Sequence, residues 1–371
     1  METRILDSLS DVSPEQWDAL AGSQPFLRHA FLEALALSGS ACPQTGWHPR
    51  HLTLWHGEVL AGAMPLYLKD HSYGEFVFDW AWADAYQRHG IPYYPKLLAM
   101  VPFTPVEGSR LLARDEPSRK MLLQAALDLA EASGVSSLHM LFPTPAEAKT
   151  MSAAGMMLRR AVQFHWSNRS YRDFEDYLAA LTRDKRKKIR QERRRVADAG
   201  VKLRRLTGMA IGEADWAFFH RCYTQTYQIR GRQPYLNLDF FLRIGQAMPE
   251  HVLLVIAESD GLPIAAALNL FDRERLYGRY WGCIEEVPCL HFEACYYQAI
   301  EFCIEHGIAV FEGGAQGEHK LARGFLPVAT LSGHSLAHPE FAQAVERFLA
   351  RETQGVGQYV EELAEHNPFK S

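Results

Sequence analysis

The chain has no Cys-x-x-Cys pair, no apolar run approaching the ~18–20 residues of a membrane span, and no basic start leading into an apolar stretch. The first absence argues against a zinc ribbon or a dithiol redox site. Cys42, Cys222, Cys283, Cys289, Cys295 and Cys303 read instead as reduced core residues, and no metal is expected. The other two absences predict a cytoplasmic protein without a transmembrane segment. Low-complexity sequence is also missing, which confines any disorder to the last few residues.

What is present is enough apolar sequence for a substantial core: 47% of the 371 residues are apolar and 22% are charged. Single cores rarely grow past ~250–300 residues, so the length predicts two domains.

The net charge of −5 conceals an asymmetry. From Thr182 to Arg195 nine Lys or Arg stand against two acids, a local +7 that leaves −12 for the remainder. The segment has helical composition, and Tyr177, Leu178, Leu181, Ile189 and Val196 make a narrow apolar seam along it. It is either a solvated helix face or a docking surface for phosphates, whether of a nucleotide tail, a lipid-linked phosphate or RNA. Aromatic residues do not interleave its cations, which speaks against nucleic-acid binding by this helix alone, and no DNA partner is expected.

The chain also repeats itself at an offset of about 204 residues. His56–Tyr67 is a glycine turn followed by an apolar strand, and Asp260–Phe271 follows the same script, with Gly57 over Gly261 and Tyr67 over Phe271. The same offset places Tyr73-Gly74 over Tyr277-Gly278 and Phe76–Phe78 over Tyr280–Gly282. One residue less places Tyr93-Tyr94 over Tyr296-Tyr297, each predicted to begin a helix. Each copy reads as helices, a hairpin around a glycine turn, another strand, a helix and a final strand, a mixed α/β unit in duplicate. The first copy opens on a capping-box pattern at Ser13–Gln16 and carries strands at Ser136–Phe142 and Gly155–Asn168. The second has helices near 212–229, 238–248 and 291–306, and strands near 251–258, 263–271, 276–283 and 308–311. The division is placed at 1–168 and 169–371, the basic segment being the first helix of the second half.

The last of these strands feeds into Phe311–Phe325, where glycines, acids and cations crowd together. Gly313, Gly314 and Gly317 allow a tight turn and close approach to a ligand. Glu312, Gln316, Glu318, His319, Lys320 and Arg323 supply acid, amide, imidazole and cationic groups within a dozen residues. The alternative is a glycine turn followed by a solvated helix start.

A strand, a glycine turn, a second strand and a helix beyond it resemble the acyltransferase fold of the GNAT superfamily, and two such units resemble the Fem-type aminoacyltransferases of peptidoglycan bridges. Gly62–Lys69, His71–Glu75, Phe78–Tyr86, Tyr93–Lys96 and Phe103–Val106, with Leu268–Leu270, Leu276–Gly282, His291–Glu293, Tyr296–Glu301 and Gly314–Phe325, are similar to the FemAB-like family of N-acyltransferases. The resemblance covers roughly residues 24–339. It implies tandem GNAT-like units with mixed central sheets and transfer of an acyl or aminoacyl group from acyl-CoA or aminoacyl-tRNA to an amine on a small molecule or a cell-wall precursor. The chain lacks the coiled-coil arm of some Fem enzymes and a clear Arg/Gln-x-x-Gly-x-Gly/Ala loop for coenzyme A, so both donors, and with them a tRNA partner, stay open.

N-acyl transfer needs a neutral amine, a polarised carbonyl and a proton for the leaving group. Tyr280 and Trp281 fall in the strand expected to meet the donor. Glu285, Glu286 and His291 lie between that strand and the next helix, where a base or a phosphate-facing helix start is wanted. In the first copy Asp79 and Asp84 bracket Trp80 and Trp82, either an acceptor site with desolvated acids or a turn beside core tryptophans. Tyr93, Tyr94, Tyr296 and Tyr297 read as core before catalysis. Arg323-Gly-Phe325 resembles the Lys-Gly-Phe that ends Fem-type domains, which makes Lys320 and Arg323 the expected anion holders. Glu312, Glu318 and His319 are candidate bases. The competing function is a catalytically silent module that binds an anionic ligand such as a peptidoglycan precursor.

Overall fold

The computed structural model describes residues 1–314 and 317–370, without the side chain of Glu318. The chain divides into two compact units, one of Met1–Ala161 with Ala329–Tyr359 and one of Val162–Val328 with Val360–Ser371. Both are mixed α/β, the duplicated GNAT-like architecture that the sequence implies.

The first unit carries strands β1 (Glu2–Leu6), β2 (Trp47–Pro49), β3 (His51–His56), β4 (Val59–Met64), β5 (Leu66–Lys69), β6 (Lys96–Ala99), β7 (Leu112–Ala113) and β8 (Ser137–Leu141). Its helices are α1 (Pro14–Ala21), α2 (His29–Leu37), α3 (Trp80–Arg88), α4 (Glu116–Ser133) and α5 (Pro145–Ala153). β1, β3, β4 and β7 make a four-stranded antiparallel sheet. β2, β5, β6 and β8 lie in order in a second sheet, where β6 and β8 are parallel. Leu52, Leu54, Met64, Leu122, Leu138 and Met140 are buried in one apolar cluster that joins strands to α4. α4 starts where Asp115 accepts a hydrogen bond from the Ser118 amide and stops at Gly134, which takes the left-handed conformation. Only half of the expected capping box forms at α1. Ser13 accepts from the Gln16 amide, while the Gln16 side chain turns to the β3–β4 hairpin at Glu58 and Leu60.

The second unit runs from β9 (Met157–Ser167), which begins in the first unit, through α6 (Phe174–Ala180), the basic helix α7 (Arg183–Asp198), β10 (Lys202–Thr207), α8 (Glu213–Gln228) and α9 (Leu238–Ala247). Then come β11 (Val252–Ser259), β12 (Leu262–Phe271) and β13 (Arg275–Cys283). One helical rod follows in three parts, α10 (Leu290–Phe292), a π turn (Glu293–Tyr297) and α11 (Gln298–Glu305). β14 (Val310–Glu312) and a 3₁₀ helix (Glu318–Arg323) lead to β15 (Leu326–Leu336), which returns to the first unit, and α12 (Pro339–Glu365). The strand order is β10-β11-β12-β13-β14-β9.

The repeat is visible in β1-β3-β4 and β10-β11-β12, each an antiparallel trio. Gly57 and Gly261 turn their hairpins at φ 60 and 78, a conformation that side chains disfavour. Two expectations fail in the first copy. Phe76–Phe78 is loop rather than strand, because Phe76 sits at positive φ and Glu75 and Asp79 turn inward to Lys96. Tyr93-Tyr94 precedes strand β6, whereas Tyr296-Tyr297 lies in the helical rod. All six cysteines are free, but only Cys222 and Cys303 are fully buried. No helix among the described residues is long and apolar enough to cross a membrane.

Candidate functional site

The second unit holds an opening that follows from strand lengths. β13 pairs with β14 in parallel only from Arg275 to Tyr277, because β14 ends at Glu312 while β13 continues to Cys283. On its other edge β13 carries an extra residue: Leu268 faces Tyr280 and Asn269 faces Gly278, so Arg279 bulges between them. Beyond Gly278 the strand is therefore kinked and has lost a neighbour, which leaves backbone groups facing a wedge rather than a ladder.

A cavity of about 110 Å³ fills this wedge. Ala267, Asn269, Gly278, Tyr280, Trp281, Phe311, Gly313 and Gly314 line it from the sheet and the glycine loop, and His291, Cys295 and Tyr296 from the helical rod. Gly313 cannot carry a side chain, since a Cβ there would sit 2.8 Å from the Phe325 ring, and Gly314 stands at φ 85. The π turn puts Cys295 and Tyr296 at this wall, an irregularity that often accompanies a functional site.

The cations of the loop diverge in role. Lys320 is 2% exposed, and its Nζ donates to the Gly314 carbonyl at 2.7 Å. Burial pushes its ammonium down to about 8, with Cys295 opposing. Arg323 is held entirely by the protein: Nε donates to the Tyr297 hydroxyl, Nη1 to the His319 carbonyl and Nη2 to both oxygens of Glu192 on α7. Its guanidinium also lies 3.5 Å over the Phe292 ring. As placed, Arg323 secures the loop, and Lys320 is the cation of the pair beside the cavity.

His291 and His319 approach one another from the rod and the loop, with ring centroids 6.2 Å apart. Burial, then the neighbouring His319 and after it Arg323 and Lys320, lowers His291 to about 4. His319 is lowered by burial, then by Arg323 and Lys320, and its Nε2 shares a 3.0 Å hydrogen bond with the Tyr296 hydroxyl. Both rings are accordingly neutral at pH 7. Glu312 is buried at the end of β14, where Arg275 Nη1 donates to it at 2.7 Å and His165 Nε2 lies 3.9 Å away. Glu285 and Glu286 are exposed on the turn before α10 and line a separate depression of about 360 Å³ with Trp281, Pro288 and His291. Gln316 and the side chain of Glu318 lie outside the described residues, while Gly317 takes φ 116 against the His319 ring.

In the first unit the expected acid pair separates. Asp84 is exposed and pairs with Arg88 on α3. Asp79 is buried with Glu75 around Lys96, whose Nζ also reaches Ser72. Burial alone would raise the Asp79 carboxyl, but Lys96 and then His139 hold it well below the usual range. Glu75 is pushed up to about 7 by burial, with Lys96 opposing and Asp79 adding to the rise. From Asp79 a chain of hydrogen bonds continues through Tyr93 to His139 and His334, with Trp82 packed on the His334 ring. These groups form a buried polar core of the first unit.

Sequence reasoning missed Asn269, Cys295 and Tyr296 as lining residues. Asn269 did leave a signal, a lone amide in an otherwise apolar strand from Pro263 to Phe271.

The model of the FemAB-like family, described as peptidoglycan biosynthesis/recognition, matches residues 8–371. Among solved structures, a crystal structure of FemX is 13% identical, with 93% of this chain and 100% of that chain covered and a TM-score of 0.54. L-PGS from Bacillus licheniformis is 10% identical, with 91% and 97% covered and a TM-score of 0.54. The C-terminal domain of a candidate lysylphosphatidylglycerol synthetase from Agrobacterium fabrum is 10% identical, with 91% and 96% covered and a TM-score of 0.58. No curated protein matches the chain.

Proposed function

Because the chain belongs to the FemAB-like family, we propose that it moves an aminoacyl group from tRNA to an amine of a peptidoglycan precursor, with the wedge beside β13 as the reacting site. The observation that carries this reading is Lys320, buried and bonded through its Nζ to the carbonyl of Gly314, a residue that lines the cavity. Its Nζ spends one hydrogen on the Gly314 carbonyl and keeps two donors for an oxygen that becomes negative as the amine attacks the donor carbonyl. In that step the amine nitrogen bonds to the carbonyl carbon and gives up a proton. Collapse then breaks the bond to the ribose oxygen, which takes a proton as it leaves. His319, neutral and bonded to Tyr296, is the group assigned to receive the amine proton.

Two features favour aminoacyl-tRNA over acyl-CoA as donor. The turn before α10, which faces the pyrophosphate in a coenzyme A-dependent GNAT unit, offers exposed Glu285 and Glu286 and a proline without an N–H at 288. Phosphate instead has a partner in α7, where Arg183, Arg186, Lys187, Arg190 and Arg194 line a depression of about 620 Å³.

The test is single-turnover transfer from a panel of aminoacyl-tRNAs and acyl-CoA thioesters to soluble peptidoglycan precursors, with Lys320→Ala alongside. Transfer from one aminoacyl-tRNA, reduced ~10²–10³-fold in Lys320→Ala, supports the reading. Transfer from acyl-CoA alone overturns the donor, and precursor binding without turnover favours a silent recognition module.

A further inference from the structure

We propose that Asn269 selects the transferred group, so that the donors taken carry a short acyl moiety bearing an oxygen beyond its reacting carbonyl. The inference rests on the transferase reading and specifies its substrate class.

Alternation along β12 puts Ala267 and Asn269 on the face that meets the cavity, between Gly278 and Phe311. Every other residue from Pro263 to Phe271 is apolar, so an amide here spoils a strand that would pack as well with leucine. Asn269 is 1% exposed, and its Nδ2 has no hydrogen-bond partner among the described residues. A buried donor left unpaired is unfavourable, and one that lines a cavity is satisfied when the occupant brings an acceptor. The cavity sets the other limit. About 110 Å³ is well under the ~300–1,000 Å³ of sites for larger ligands, so a long hydrocarbon chain does not fit. A short hydrocarbon group fits but leaves Nδ2 unpaired. A hydroxyl, carbonyl or carboxamide oxygen pairs with it. Sites built to hydrogen-bond a substrate oxygen discriminate strongly against the analogue that lacks it, by up to ~10⁴-fold.

The probes are hydrolysis-resistant 3′-seryl-amido-adenosine and 3′-alanyl-amido-adenosine, which differ by one oxygen, titrated into the full chain by calorimetry. The wild-type protein is expected to bind the seryl form at least about tenfold more tightly. In Asn269→Leu, and in the smaller Asn269→Ala in case leucine disturbs the strand, the ratio falls to about one while the alanyl form is retained. An unchanged ratio in both variants, or a wild-type protein that favours the alanyl form, overturns the proposal. If neither adenosine binds but acyl-CoA does, the donor assignment above fails while this inference is decided by glycolyl-CoA against propionyl-CoA in the same proteins. Binding of neither donor class overturns both.

Discussion

Arg323 Nη2 bonds both carboxylate oxygens of Glu192, at 2.9 and 2.8 Å, and so ties the glycine loop to the basic helix inside the second unit. Both side chains are buried, and the Tyr297 hydroxyl joins them. Removing one partner leaves the other as an uncompensated charge, at a typical cost of ~3–5 kcal/mol, whereas replacing both with apolar groups is often neutral. Arg323→Met and Glu192→Met are each expected to lower the urea midpoint strongly, and the double variant to recover much of the loss. A double variant as unstable as the sum of the two would remove the coupling.

Lys320 gives a pH signature. Its folded pKa is down at about 8, against ~10.4 for an unperturbed lysine. Between those values the unfolded chain binds a proton that the folded chain does not, so stability from this group rises with pH across that window. Below about pH 8 the cost of burying the charge is felt in full. Lys320→Met should therefore be more stable than wild type at pH 7, by at most roughly 3 kcal/mol, with the difference vanishing toward pH 10.5. Denaturation midpoints of both proteins from pH 6 to 10.5 measure it. A more stable variant that has lost transfer would mark Lys320 as a functional group held at a cost in stability.

The duplicated fold was legible because it rests on local rules. Glycine at 57 and 261 turns each hairpin, apolar runs mark β11 and β12, and caps bound helices such as α4. That His319, Lys320 and the glycines share one loop was legible too, since the loop follows β14 directly, whereas the approach of His291 from the helical rod was not. What stayed hidden depends on distant pairing. Arg323 and Lys320 look alike in sequence, and partners outside the loop, Tyr297 and Glu192, the latter 131 residues away, separate their roles. Asp79 and Asp84 look like a pair, yet Lys96 draws one inward and Arg88 keeps the other at the surface. β15 and most of α12 return to the first unit, a crossing that no local pattern announces.

Lys96 is the counter-ion of the first unit's polar core, 0% exposed between Glu75 and Asp79. Lys96→Met leaves two buried carboxylates side by side, and ~3–5 kcal/mol of destabilisation is expected at pH 8. Two neighbouring acids without their cation take up protons readily, so the deficit should shrink as pH falls. Midpoints at pH 5 and pH 8 check the sign. A deficit that grows toward pH 5 would contradict the arrangement.

Helix α7 offers a test of where donor phosphates dock. Its apolar seam, Ile189 and Val196, faces inward with Glu192, while Arg183, Lys187 and Arg194 are exposed. Surface cations of this kind contribute little to folding, so the triple alanine variant should keep its midpoint within ~1 kcal/mol of wild type. Phosphate contacts have a distinct readout, because each one formed on binding releases counterions and steepens the fall of affinity with salt by ~0.7–0.9 in a logarithmic plot. Three lost contacts should flatten the slope for tRNA by about 2 to 3. Affinities measured from 50 to 200 mM salt decide it: parallel lines for the two proteins would place the phosphates away from α7, and a flattened line would place them on it.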